Sequence, residues 1–141
     1  MLTGFLKYSK IERSKLSGFL EETNGNIFEA TLKIYDYMVE QATDNEKLKL
    51  ITNILQELRK NNISIFDRQE DIKEKEIINK KINHELLKIK EPDDLKYIMK
   101  ILGTITRNIA IETVKGKITK EEGKYNLKRE IEILKKGMQK T

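Results

Sequence analysis

Cysteine is absent from this chain, which excludes disulfides, thiolate metal sites and cysteine nucleophiles. Tryptophan is absent too, and histidine and proline occur once each, as His84 and Pro92. With one imidazole and no thiol, no nucleophile and base can be paired beyond serine with lysine. Ser9, Ser14, Ser17 and Ser64 lie in no nucleophile-elbow context. A metal would have to rely on carboxylates, and neither Glu74, Glu85 nor the Asp93-Asp94 pair follows the spacing of a calcium loop or a zinc site. Gly25 and Gly103 stand singly, so no glycine-rich phosphate loop is present. The expectation is a protein that is not an enzyme and uses no cofactor and no metal. No apolar run approaches the roughly 18 residues of a membrane span, and Met1 to Leu6 lacks a basic leader. A cytoplasmic protein with no membrane partner is expected.

What is present is charge and amphipathicity. Charged residues make up 36% of the chain and hydrophobic ones 38%, a balance that suits helices with one apolar stripe and a broad solvated face. A length of 141 residues fits one domain around a single core.

Helix-start signals divide the chain. In each, a short polar side chain precedes a Glu by three residues, so that the two can satisfy free backbone N–H groups. Ser9 with Glu12 opens a helix to about Thr23, broken by Asn24-Gly25-Asn26. Asn26 with Glu29 opens a second to about Ala42, with Ile27, Ala30, Ile34 and Met38 inward. Thr43 with Glu46 opens a third, stopped near Asn61-Asn62; Ile63 to Phe66 reads as an apolar loop, not a strand. Asp67 with Glu70 opens a long charged helix, about 68–90, with Ile72, Ile78, Ile82, Leu86 and Ile89 on one side. After Pro92, the residues Leu95, Ile98, Met99, Leu102, Ile105 and Ile109 form the cleanest stripe, a core helix ending near Gly116. Thr119 with Glu122 starts a basic helix to about Lys136, with Leu127, Ile131 and Leu134 inward and Gly137 past its end. The predicted fold is all-α: a single-domain helical bundle, 1–141, of about five main helices. A subdivision is conceivable at the 61–67 loop, and 115–141 forms a basic C-terminal hairpin.

The formal surplus of positive charge is local. From Lys115 to Thr141 there are nine Lys and Arg against four Glu, a net +5 that equals the whole-chain value and leaves the remainder neutral. Such asymmetry attracts polyanions through a field that a mixed surface would cancel. An A+T-rich coding sequence would supply part of the lysine by itself. Lys117, Lys120, Lys124, Lys128, Arg129, Lys135 and Lys136 are the candidate nucleic-acid contacts. Only Tyr125 is available for base stacking, so backbone contact is favoured, with DNA ahead of RNA.

Two short patterns touch on the same function. The stretch Phe19-Leu20-Glu21-Glu22-Thr23-Asn24-Gly25-Asn26-Ile27-Phe28-Glu29-Ala30 resembles the opening of helix-turn-helix segments in phage packaging small subunits and some bacterial activators. The likeness covers about 12 residues, and the following helix runs on through Tyr35 and Met38 without a recognition helix, so a plain helical hairpin is the preferred reading. The second, Gly116 to Gly123, combines a Gly stop, an apolar Ile118 and a Thr119 cap, with Gly at 123 where Ala is usual.

Six of nine aromatics lie within the first 37 residues. Tyr35 and Tyr37, two apart on a helix, cannot both point inward. Phe5, Tyr8, Tyr35 and Tyr37 are therefore the candidate protein-binding residues. The sequence as a whole points to a small DNA-associated regulatory or accessory protein of the kind phages and plasmids encode, acting as a homo-oligomer through its basic C-terminal helix. The alternative is a protein-binding or inhibitory helical module that uses the N-terminal aromatics or the long helix.

Overall fold

A computed structural model describes residues 13–41, 53, 56, 76–87 and 94–139, with side chains as far as 137. The protein is all-helical, and no strand occurs among the described residues. Helix α1 covers residues 13–22, α2 Ile27–Gln41, α3 residues 76–81, α4 Asp94–Val114 and α5 Lys120–Gln139; a 3₁₀ turn, His84–Leu86, follows α3. Asn53 and Gln56 are helical as well. The Ser9 and Thr43 helix starts, the Asn61 to Asp67 loop and the residues from Asp67 to Lys75 lie outside the described residues.

Local chemistry sets the boundaries. Asn26 Oδ1 accepts from the backbone N–H groups of Phe28 (3.1 Å) and Glu29 (3.2 Å), and so caps α2. Thr119 Oγ1 does the same for Glu122 N–H at 3.1 Å in α5. Helix α4 ends in a Schellman motif: Gly116 has φ +76, Gly116 N–H donates to Thr113 O (3.0 Å) and Lys117 N–H to Glu112 O (3.0 Å). Helix α5 runs through Gly137 to Gln139, where the sequence placed its end before that glycine, because Gly137 keeps a negative φ and makes no left-handed stop.

The core is one cluster. Leu20 from α1, Ile27, Phe28, Ala30, Ile34, Tyr35 and Met38 from α2, Leu95, Ile98, Leu102, Ile109 and Ala110 from α4, and Leu127 and Ile131 from α5 are all buried in it. Helix α4 packs on both α2 and α5, as its unbroken apolar stripe predicts. Threonines inside the bundle return their hydroxyls to the preceding turn: Thr31 Oγ1 donates to Ile27 O at 2.7 Å and Thr106 Oγ1 to Leu102 O at 2.6 Å.

The long charged helix expected over about 68–90 is corrected in its second half. The α-helix stops at Lys81, and Asn83 caps the 3₁₀ turn, its Oδ1 accepting from Glu85 N–H at 3.1 Å. The cause is a contact from elsewhere in the chain. Gly25, at φ +81, lies so close to this segment that a Cβ on it would sit 2.6 Å from Asn83 N and 2.7 Å from Lys81 O. Asn83 N–H donates to Gly25 O at 2.9 Å. The break rotates the apolar phase, so Leu86, expected inward, is 47% exposed and Leu87 is 1% exposed.

Candidate functional site

Helices α2, α4 and α5 meet at Tyr35. Its side chain is fully buried, and its hydroxyl lies 2.9 Å from Thr113 Oγ1 on α4 and donates to Lys120 O at 3.0 Å at the start of α5. Burial pushes the Tyr35 hydroxyl above its ordinary pKa, against a smaller lowering by the Thr113 hydrogen bond. The approach is possible because residue 123 is glycine: a Cβ there would overlap Tyr35 Oη and lie 2.6 Å from Thr113 Oγ1. Of the two tyrosines that could not both face inward, Tyr35 is the inward one, and its burial removes it from the expected protein-binding surface. Tyr37 is half-buried, with Lys15 Nζ 5.4 Å from its ring centroid. Phe5 and Tyr8 lie outside the described residues.

The basic helix is laid partly against α2. Lys124 Nζ is 3.0 Å from Asp36 Oδ2 and Lys120 Nζ is 3.6 Å from Glu40 Oε1. Lys135 Nζ stands 4.5 Å from the centroid of the buried Phe28 ring. Arg129 reaches along its own helix to Glu132 at 3.2 Å. Lys117, Lys128 and Lys136 are exposed and have no ion-pair partner among the described residues. The seven candidate cations therefore do not form one free patch. Lys120, Lys124 and Lys135 join α5 to α2, with each half-exposed ion pair contributing at most about 1 kcal/mol.

A second clasp ties α1 to α3. Lys81 Nζ contacts Ser17 Oγ at 2.5 Å and Glu21 Oε1 at 2.7 Å. The Lys81 hydrogen bond and charge hold the Glu21 carboxyl below its ordinary pKa. His84 is exposed, one ring nitrogen 3.1 Å from Asn79 O. Among the described residues no group of three or more His, Asp or Glu side chains is placed to hold a metal, and no helix is long and apolar enough to cross a membrane.

The outer face of α4 and α5 went unread in the sequence. Between the helices runs a groove of about 360 Å³, walled by Ile105, Asn108, Ile109 and Glu112 from α4 and by Asn126, Arg129 and Glu130 from α5. Tyr97 and Ile101 continue the α4 wall at helical spacing, and Ile133 continues the α5 wall; they are 56, 44 and 64% exposed. Residues 97, 101, 105, 108 and 112 step by four, four, three and four, as do residues 122, 126, 130, 133 and 137. That is the seam spacing with which helices mesh side by side. The signal was in the sequence as a second stripe beside the core stripe of α4.

These features define a helical regulatory-type bundle, cross-braced inside and carrying an unpaired two-helix face. The chain belongs to the family described as Tetracyclin repressor-like, C-terminal domain, which it matches over residues 26–138. It is thereby a member of a transcription-regulator family. No curated protein and no solved structure matches it.

Proposed function

We propose that the chain is the non-catalytic regulatory domain of a DNA-associated transcription regulator, acts in the cytoplasm, and works as a homodimer joined through the outer face of α4 and α5. One observation carries the reading: three large apolar side chains, Tyr97, Ile101 and Ile133, stand exposed together on a face with seam spacing on both helices. Regulators of this family often form dimers, and a two-helix face with one spacing on both helices is self-complementary under a two-fold axis.

Sedimentation of the full chain tests it. A dimer is expected, and Ile101→Glu with Ile133→Glu should turn it into a monomer, because pairing would bury unpaired carboxylates. Both positions are exposed in the single chain, so the helical signal and unfolding midpoint should hold. A wild-type chain that is monomeric at every concentration would remove the proposal.

The outward cations support a second role in the same regulator, sequence-independent contact with the DNA backbone. Lys117, Lys128 and Lys136 are the members of the expected set free to make it, while Lys120, Lys124, Arg129 and Lys135 would first have to leave partners in the fold. Three phosphate contacts correspond to a slope of roughly −3 in the logarithm of affinity against that of salt. Fluorescence anisotropy with a random-sequence duplex should show weak binding that falls with salt. Lys128→Glu with Lys136→Glu should flatten that slope; no binding at low salt would make these lysines a solvated face.

A further inference from the structure

The α4–α5 face is not uniform along its length, and this decides how two copies can meet. One end is apolar, with Ile101 and Ile105 on α4 and Ile133 on α5. The other is polar and mostly acidic, with Asn108 and Glu112 on α4 and Asn126 and Glu130 on α5; Arg129 beside them is engaged with Glu132. The helices run antiparallel across the short 115–119 turn, so Ile101 and Ile133 stand at one level and Glu112 and Glu122 at another.

Resting on the dimer reading above, we infer that the two-fold axis crosses the α4–α5 face at right angles at the level of Ile101 and Ile133, and that the polar groove of Asn108, Glu112, Asn126 and Glu130 lies outside the seam. An axis parallel to the helices would set every level against itself, so Glu112 and Glu130 would meet their own copies as buried like charges, at a cost that apolar contact at the other end would not offset. A perpendicular axis near the middle of the face would lay the apolar end of one copy on the acidic end of the other and bury carboxylates against isoleucine. Centring the axis on the apolar end brings Ile101, Ile105 and Ile133 onto their copies and leaves both acidic ends in water. At 1.5 Å per residue, Asn108 lies roughly 10 Å along α4 from Ile101. Asn108 and its copy are then about 20 Å apart, as are the neighbouring Asn126 residues, far beyond the roughly 7 Å limit between Cα atoms for a disulfide.

The chain has no native cysteine, so single engineered thiols report the axis directly. Ile101→Cys, Ile133→Cys and Asn126→Cys would each be oxidised as the full chain and resolved on a non-reducing gel, with sedimentation of the unoxidised protein alongside. All three positions are exposed in the single chain and tolerate a small side chain. The expected result is a covalent dimer from Ile101→Cys or Ile133→Cys and none from Asn126→Cys. Cross-linking at Asn126 as efficient as at the isoleucines would overturn the axis placement while leaving the dimer intact. So would a sedimenting dimer in which neither isoleucine position cross-links. A chain that sediments as a monomer throughout would overturn both the dimer reading and its axis.

Discussion

Gly123→Ala should destabilise the protein, although the same change at an unobstructed helical site stabilises one. Alanine is the better helix former by roughly 1 kcal/mol. Against that gain, its methyl would overlap Tyr35 Oη and crowd Thr113 Oγ1, in a junction where the tyrosine is fully buried. Overpacking of this kind costs about 1–3 kcal/mol, and the displaced hydroxyl would also give up its bonds to Thr113 and Lys120 O. The net expectation is a loss of about 1–2 kcal/mol in chemical unfolding. Gly137→Ala, with nothing within 4 Å of its added carbon, should instead gain roughly 0.5 kcal/mol. The mechanism is checked by a double-mutant cycle. Tyr35→Phe by itself removes two hydrogen bonds and destabilises, whereas in the Gly123→Ala background it removes the obstructing oxygen and should restore stability. The two changes should therefore be coupled by about 1 kcal/mol or more. Strict additivity would mean that Gly123 is not there for the tyrosine.

A loss at least as large is expected from Gly25→Ala. The residue has φ +81, where an L side chain costs roughly 1–2 kcal/mol. The atoms its methyl would meet are backbone, Asn83 N and Lys81 O, and cannot rotate away as the end of a side chain can. Adding the overpacking cost gives about 2–4 kcal/mol. Because Asn83 N–H donates to Gly25 O, the Asn83 amide should also exchange with solvent much faster in the variant. Unchanged stability with unchanged Asn83 protection would show that the turn and α3 do not need this close approach.

Most of the architecture was legible because it is locally encoded. Asn26, Thr119 and Gly116 mark their helix ends through side-chain and backbone chemistry within a few residues, and the α4 stripe announces the core helix by period alone. What was not legible depends on distant partners. Ile78, Ile82 and Leu86 keep helical spacing, so the sequence offers no reason to stop α3 at Lys81; the reason is Gly25, more than fifty residues earlier. The lysines at 120 and 124 read as a free stripe because nothing within α5 shows that Asp36 and Glu40 stand opposite them. Spacing required that Tyr35 or Tyr37 face outward, and the choice was made by a missing methyl on another helix. Glycine at 123, where a helix start normally carries alanine, was the available clue.

The laying of α5 against α2 has a consequence for how the chain responds to polyanions. Lys120, Lys124 and Lys135 are occupied only while the two helices stay together, by Glu40, Asp36 and the Phe28 ring. An unfolded or partly opened chain offers all of the basic segment at once, so a long polyanion binds that form more tightly than the closed one. By linkage, whatever prefers the open form shifts the equilibrium toward it. Heparin or excess non-specific nucleic acid would thus lower the unfolding temperature of this basic protein, acting on it as a mild denaturant and not as a stabilising ligand.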